Sequence, residues 1–150
     1  VRPFVELGFM PARLASGDRT IFHYRANVTP PRDLAQWSRL VRRFVAFLVD
    51  RYGIDEVAAW RFEVWNEPDL IGAFWTGTQA GYFELYAAAA LAVKSVDGRL
   101  RVGGPATSKT LWVPELLAFC AERRLPLDFV STHHYAVDAD LVLGKPSGPM

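Results

Sequence analysis

Apolar positions along the chain follow two different periods. Short, dense apolar runs at residues 2–7, 61–66, 99–103 and 127–132 predict four buried strands. Between them lie three stretches whose apolar residues return every three or four positions. The first is set up by Pro30-Pro31, carries Asp33 in its first turn and ends at Gly53. Its residues Leu34, Trp37, Leu40, Val41, Phe44, Phe47 and Leu48 form one continuous stripe. The second, with Thr78 as N-cap, repeats Tyr82, Leu85, Tyr86, Ala89 and Val93, while the alanines at 87–90 keep it slim for close packing. The third uses Val113, Leu116, Leu117 and Cys120, and tolerates Pro114 in its first turn. Strands alternating with helices in this way predict a parallel α/β sheet with right-handed crossovers. At about 30 residues per repeat, four strands and three helices make roughly half of a (β/α)₈ barrel, and a doubly wound sheet would show the same half.

The connections carry their own signals. Residues 13–29 form a long, polar, irregular segment with Phe22, His23 and Tyr24, and connections of this length in compact domains tend to be functional. Residues 70–77 make another loop, in which Phe74 and Trp75 are expected to be exposed. Asp97-Gly98 turns the chain into the third strand. Gly103-Gly104-Pro105 invites a phosphate-loop interpretation, but its spacing matches neither GxGxxG nor GxxxxGK[ST], and it is rejected.

Composition narrows the classes. With 150 residues, 51% of them hydrophobic and 13% aromatic, the chain can bury a substantial core. Seventeen basic against 16 acidic residues give a net charge of +1, with no footprint for nucleic acid or an anionic membrane. Arg39, Arg42, Arg43 and Arg51 fall on the first predicted helix and read as a solvated outer face. No apolar run approaches the roughly 18 residues of a membrane span. No signal peptide is visible, which is uninformative in a chain expected to lack its N-terminus, and a cytoplasmic location is expected in preference to a secreted one. Val1 is not an initiator and residues 144–150 are loop chemistry, which together point to an internal piece of a longer protein. The single cysteine, Cys120, rules out an internal disulfide and reads as a buried small hydrophobe.

Chemistry gathers at the predicted strand ends. Glu6 and Phe9 follow the first strand, Asn66 and Glu67 the second, His133 and Tyr135 the fourth. In a parallel sheet these ends lie on one side, where ligands bind. Pro68 stops strand pairing just beyond Glu67. A carboxylic acid beside aromatic and apolar walls, as Glu67 is between Trp65 and Pro68, retains its proton more readily, which suits a general acid. Asn66 can donate to and accept from a sugar hydroxyl. Glu6 either lines the site or stabilises a helix N-terminus. Glu63 lies below the rim and reads as the buried partner of an arginine such as Arg61 or Arg101. His133-His134 with Asp138 and Asp140 resembles a metal set only superficially, because adjacent strand residues point to opposite faces; no metal or other cofactor is expected.

Several segments, in order, carry a resemblance: ELGFMP (6–11), PPRDLAQW (30–37), RYG (51–53), FEVWNEPD (62–69), FW (74–75), RVGGPAT (101–107) and DFVSTHHY (128–135). Together they resemble glycoside hydrolase family 39, the β-xylosidase and α-L-iduronidase family of retaining (β/α)₈-barrel glycosidases. The resemblance implies a partial barrel covering about strands three to six. It also implies Glu67 as general acid/base and Asn66 as partner of the sugar 2-hydroxyl. His133 and Tyr135 resemble the residues at the end of barrel strand six that contact the sugar and the nucleophile. Glu6 and Phe9 resemble the end of strand three, and Trp75 a sugar-stacking face. The family's nucleophilic glutamate belongs to a later strand, so this chain alone is expected to be inactive.

The implied activity is that of a retaining, exo-acting β-xylosidase, with xylosides or xylo-oligosaccharides as partners. α-L-Iduronidase or endo-glycanase activity is the alternative within hydrolases, and Lys109 and Arg25 are the loose candidates for an iduronide carboxylate. A non-catalytic sugar-binding barrel is the alternative of another class.

Overall fold

The computed structural model describes residues 1–135. Its main sheet has four strands, β1 (Phe4–Leu7), β4 (Arg61–Val64), β5 (Val102–Ser108) and β6 (Phe129–His133). A separate two-stranded antiparallel hairpin, β2 (Thr20–Ile21) and β3 (Ala26–Asn27), stands in the long first connection. The helices are α1 (Leu34–Tyr52), the single-turn α2 (Ile54–Val57), α3 (Gln79–Lys94) and α4 (Val113–Arg123). The sheet is parallel throughout, in the order β1-β4-β5-β6. Each crossover thus returns the chain to the next position, and α1 packs on α3 and α3 on α4. A strand order that follows the chain without reversal fits the wall of a barrel.

Local chemistry explains the helix ends. Asp33 caps α1 from outside the helix, its Oδ1 accepting from the Ala35 N–H at 2.8 Å, where the sequence placed it in the first turn. Gly53 ends α1 at φ 83°, a conformation glycine adopts without penalty. Thr78 caps α3 as expected, accepting from Gly81 N–H at 3.0 Å. Helix α3 lies between α1 and α4, which is why it is apolar nearly all round: Tyr82, Leu85, Tyr86, Ala89, Ala90 and Val93 have no exposure. Full burial of a side chain such as Leu85 or Phe62 contributes about 1.5–3 kcal/mol. Cys120 is buried as the sequence implies, and desolvation pushes its thiol up to about 11.

Strand alternation sorts the two faces of the sheet. Val5, Phe62 and Val102 share one register row, as do Leu7 and Val64, and these face the helices. Glu6, Glu63, Gly103 and Phe129 share the row facing the opposite, inner side. Gly103 is required there, because a Cβ would stand 2.3 Å from the Phe129 carbonyl oxygen and 2.6 Å from its ring.

Four elements differ from their sequence expectation. The third main strand runs over Val102–Ser108 instead of 99–103, because Gly103-Gly104-Pro105, which looks like a strand breaker, pairs with β6 through a bulge at Ala106. The connection 13–29 is ordered: the Asn27 amide donates to Gly17 O at 2.8 Å and its Oδ1 accepts from Thr29 N–H at 2.9 Å, pinning the hairpin. Of the predicted α1 stripe, Trp37, Val41 and Leu48 are buried together with Val45, while Leu34, Leu40, Phe44 and Phe47 are exposed. Of these, Leu40 and Phe44 line a pocket together with Glu6, Leu7 and Phe9 at the end of the edge strand β1. Glu63 pairs with no arginine; Arg61 instead donates to the Ala59 and Trp60 carbonyls. Among the described residues no helix is long and apolar enough to cross a membrane.

Candidate active site

Strand β4 ends at Val64, and the next residues are held in a tight, unusual backbone. Trp65 has φ 70° and Glu67 φ 44°, in the left-handed region that non-glycine residues seldom occupy and that costs about 1–3 kcal/mol when occupied. Several bonds hold this turn. The Trp65 N–H donates to Leu7 O at 3.2 Å, and its indole donates to Phe74 O at 2.8 Å. The Glu67 N–H donates to Ala106 O at 2.9 Å. Asp69 accepts from both the backbone N–H (2.9 Å) and the hydroxyl of Ser108. Beneath the turn, the buried Tyr82 hydroxyl lies 3.0 Å from the carbonyl oxygens of Val64 and Pro105, tying α3 to β4 and β5. The turn is thereby fastened to β1, β5 and α3.

The product of this fastening is a carboxylate aimed at β6. Glu67 is 9% exposed, and its Oε1 lies 3.0 Å from His133 Nδ1. The pair can hold one proton in either direction, ring N–H to carboxylate or acid O–H to ring nitrogen. His133 is itself fixed by the connection after β5. Its carbonyl accepts from Lys109 N–H at 2.9 Å, and the neighbouring Thr132 hydroxyl donates to Thr107 O at 2.8 Å.

Glu6 and Glu63 lie on the inner face in direct register. Partial desolvation raises the Glu6 carboxyl, which keeps solvent contact, above the ordinary 4.5, the Glu63 and Glu67 carboxylates add to that, and His133 opposes it. Burial likewise raises Glu63, with the Ser131 hydroxyl and then His133 opposing. Glu6, Glu63, Glu67 and His133 therefore form one electrostatic group.

The remaining candidates fall around this centre. Asn66 is half-buried next to Glu67, and Tyr135 is exposed just beyond β6. Phe9 packs edge-on to Trp65 at 5.4 Å and stacks with Phe74 at 6.3 Å. Trp75 is a correction: it has no exposure, its indole donates to Thr78 O at 2.9 Å, and its ring packs against Trp65. It offers no face to a sugar. The exposed rings come from the hairpin instead, where Phe22 and Tyr24 are 52% and 61% exposed and stacked at 5.3 Å, with Phe22 reaching Phe74 at 5.7 Å. Their cluster in the long connection was the available signal. Among the described residues no three His, Cys, Asp or Glu side chains stand close enough to hold a metal ion. Asp138 and Asp140 lie outside the described residues.

A parallel barrel wall with a carboxylate at the end of one strand, bonded to a histidine at the end of another, is an arrangement suited to glycoside chemistry. Residues 1–143 match the family model described as glycosyl hydrolases family 39. The chain belongs to that family. It is similar to a β-xylosidase of Caldicellulosiruptor saccharolyticus, 52% identical over 138 residues, which covers 92% of this chain and 28% of that protein. Similarity to human α-L-iduronidase is lower, 35% over 102 residues, covering 67% of this chain and 15% of that protein. Among solved structures, a GH39 β-xylosidase from Caulobacter crescentus superposes with a TM-score of 0.87 at 48% identity, covering 95% of this chain and 32% of that one. The chain thus spans about three tenths of the length of the β-xylosidases it matches.

Proposed function

We propose that this chain is the acid/base-bearing central portion of a retaining, exo-acting β-xylosidase, its strands β1, β4, β5 and β6 serving as barrel strands three to six. The observation that carries this is the contact between Glu67 and His133, made at two strand ends in a chain of family 39. The choice of xylosides over iduronides is supported by 52% identity to a β-xylosidase against 35% to an α-L-iduronidase.

In this mechanism the protonated Glu67 gives its proton to the glycosidic oxygen as a second glutamate, outside this chain, attacks the anomeric carbon. Retention requires those two carboxyl groups to stand about 5–5.5 Å apart. Glu67, now ionised, takes a proton from the water that releases the sugar. Asn66 binds the 2-hydroxyl, Tyr135 and Glu6 contact the sugar from neighbouring strand ends, and Phe9, with Phe74 and Phe22, supplies an apolar wall. His133 orients the Glu67 carboxyl. The 150 residues alone, lacking the nucleophile, are inactive. Proton NMR of the first xylose anomer released by the full-length protein tests the scheme: the β anomer supports it, and the α anomer from a β-xyloside overturns it.

A further inference from the structure

Below the Glu67–His133 pair, the inner face of the sheet holds carboxyl groups that the mechanism above does not fully use. Glu6 of β1 and Glu63 of β4 are register neighbours on parallel strands, with Cα atoms about 4.8 Å apart and side chains on one face. Glu63 is 5% exposed and makes no ion pair among the described residues. A buried carboxyl without a cationic partner is unfavourable, and an amide of the same shape would be cheaper to bury. Glu63 is nevertheless an acid.

The surroundings show where its charge acts. From β1 comes Glu6, and from the turn after β4 comes Glu67, both acidic. From α3 comes Tyr82, whose own ionisation the Glu63 charge opposes. From β6 come Ser131 and His133, on the same face by alternation. The Ser131 hydroxyl is buried without a well-formed hydrogen bond, yet stands close enough to Glu63 to favour its ionised form. Among the described residues His133 is the cation-forming group that acts on Glu6 and Glu63, and its Nδ1 is the atom bonded to Glu67. Negative charge on the inner face therefore stands beside the His133–Glu67 contact.

We propose that Glu63, with Glu6 beside it, is a positioning residue that retains the shared proton within the His133–Glu67 pair and so keeps the acid/base carboxyl armed and aimed. This rests on Glu67 being the acid/base. Glu63 acts through His133 and does not touch the sugar, so removing its charge affects proton loss from the pair and leaves substrate affinity alone.

The test is the pH profile of Glu63→Gln in the full-length enzyme, measured with a xyloside carrying an alkyl leaving group, beside Glu63→Asp and Glu67→Gln. The expected result is an alkaline limb of kcat/KM displaced to lower pH by about half a unit or more, as loss of a nearby negative charge predicts. KM stays within about twofold, as for a residue without ground-state contact, and Glu63→Asp restores the limb. A fall in kcat with the limb unmoved signifies a merely structural role and overturns the proposal. Should Glu63→Gln not fold, Glu63→Met, which removes the same charge with an apolar side chain of similar length, takes its place: a displaced limb supports the proposal and an unmoved one overturns it. Full activity of Glu67→Gln overturns the acid/base reading itself. Loss of activity there, with an unmoved limb in Glu63→Gln, overturns this inference alone.

Discussion

His133 Nδ1 and Glu67 Oε1 lie 3.0 Å apart although 66 residues separate them in the chain. Two separate sets of hydrogen bonds bring them together, one holding the turn after β4 against Leu7 and Ala106, the other holding the end of β6 against Lys109 and, through the Thr132 hydroxyl, Thr107. The contact is thus a property of the sheet as a whole and does not depend on either loop alone.

If His133 orients the acid/base carboxyl, His133→Ala in the full-length enzyme lowers kcat by roughly tenfold to a hundredfold, the usual effect of a catalytic group left loosely placed. Stability changes little, since the imidazole is partly exposed. Steady-state kinetics with a thermal melt on the same preparation checks both halves.

The acids of the inner face make a stability prediction with a definite sign. Glu63, by burial, and Glu6, by partial desolvation, have carboxyls raised above the ordinary 4.5 in the folded chain. The folded state therefore binds more protons than the unfolded state between that value and the raised one, and stability falls as pH rises through the interval. Glu63→Gln removes its part of that loss, so the variant gains stability relative to wild type at neutral pH and the two converge in acid. Urea unfolding at acid and neutral pH measures the difference.

Trp75, expected to offer a stacking face, is buried, whereas Tyr24 is exposed. Trp75→Ala opens a core cavity and destabilises by about 3–5 kcal/mol. Tyr24→Ala, at a 61% exposed ring, stays within about 0.5 kcal/mol of wild type in stability. If the hairpin rings face substrate, Tyr24→Ala raises KM for xylo-oligosaccharides; unfolding curves and KM measured side by side decide the assignment.

Most of the scaffold could be read from the sequence because its signals are local. The Thr78 cap, the Gly53 stop and the helical spacing of Tyr82, Leu85, Tyr86, Ala89 and Val93 depend on residues within a few positions of one another. The extent of β5 was not legible, because its glycines and proline are retained by close approach to Phe129 and by pairing with β6, which are tertiary facts. Similarly, the alternation of β4 places Glu63 inside, but only the assembled sheet shows that its neighbours are Glu6, Ser131 and His133 in place of an arginine. The aromatic loop residues were visible as a group, yet nothing local distinguishes Trp75, folded inward onto Trp65, from Phe22 and Tyr24, turned outward.

Tyr82 bridges the helix layer to the strand ends that carry Glu67. Tyr82→Phe removes the hydroxyl shared by Val64 O and Pro105 O and leaves two buried carbonyls poorly satisfied, at a cost of about 1–3 kcal/mol. Chemical denaturation gives that value directly, and a parallel fall in kcat is expected because the Glu67 turn springs from Val64.

The most direct test of Glu67 as acid/base is Glu67→Ala in the full-length enzyme, assayed with a series of aryl β-xylosides and with azide. Hydrolysis of xylosides with poor leaving groups is expected to fall by about 10²–10⁴, while those with activated leaving groups lose far less in the first step. Azide is expected to restore turnover by forming the β-xylosyl azide. Equal losses across all leaving groups, with no azide product, would contradict that role for Glu67.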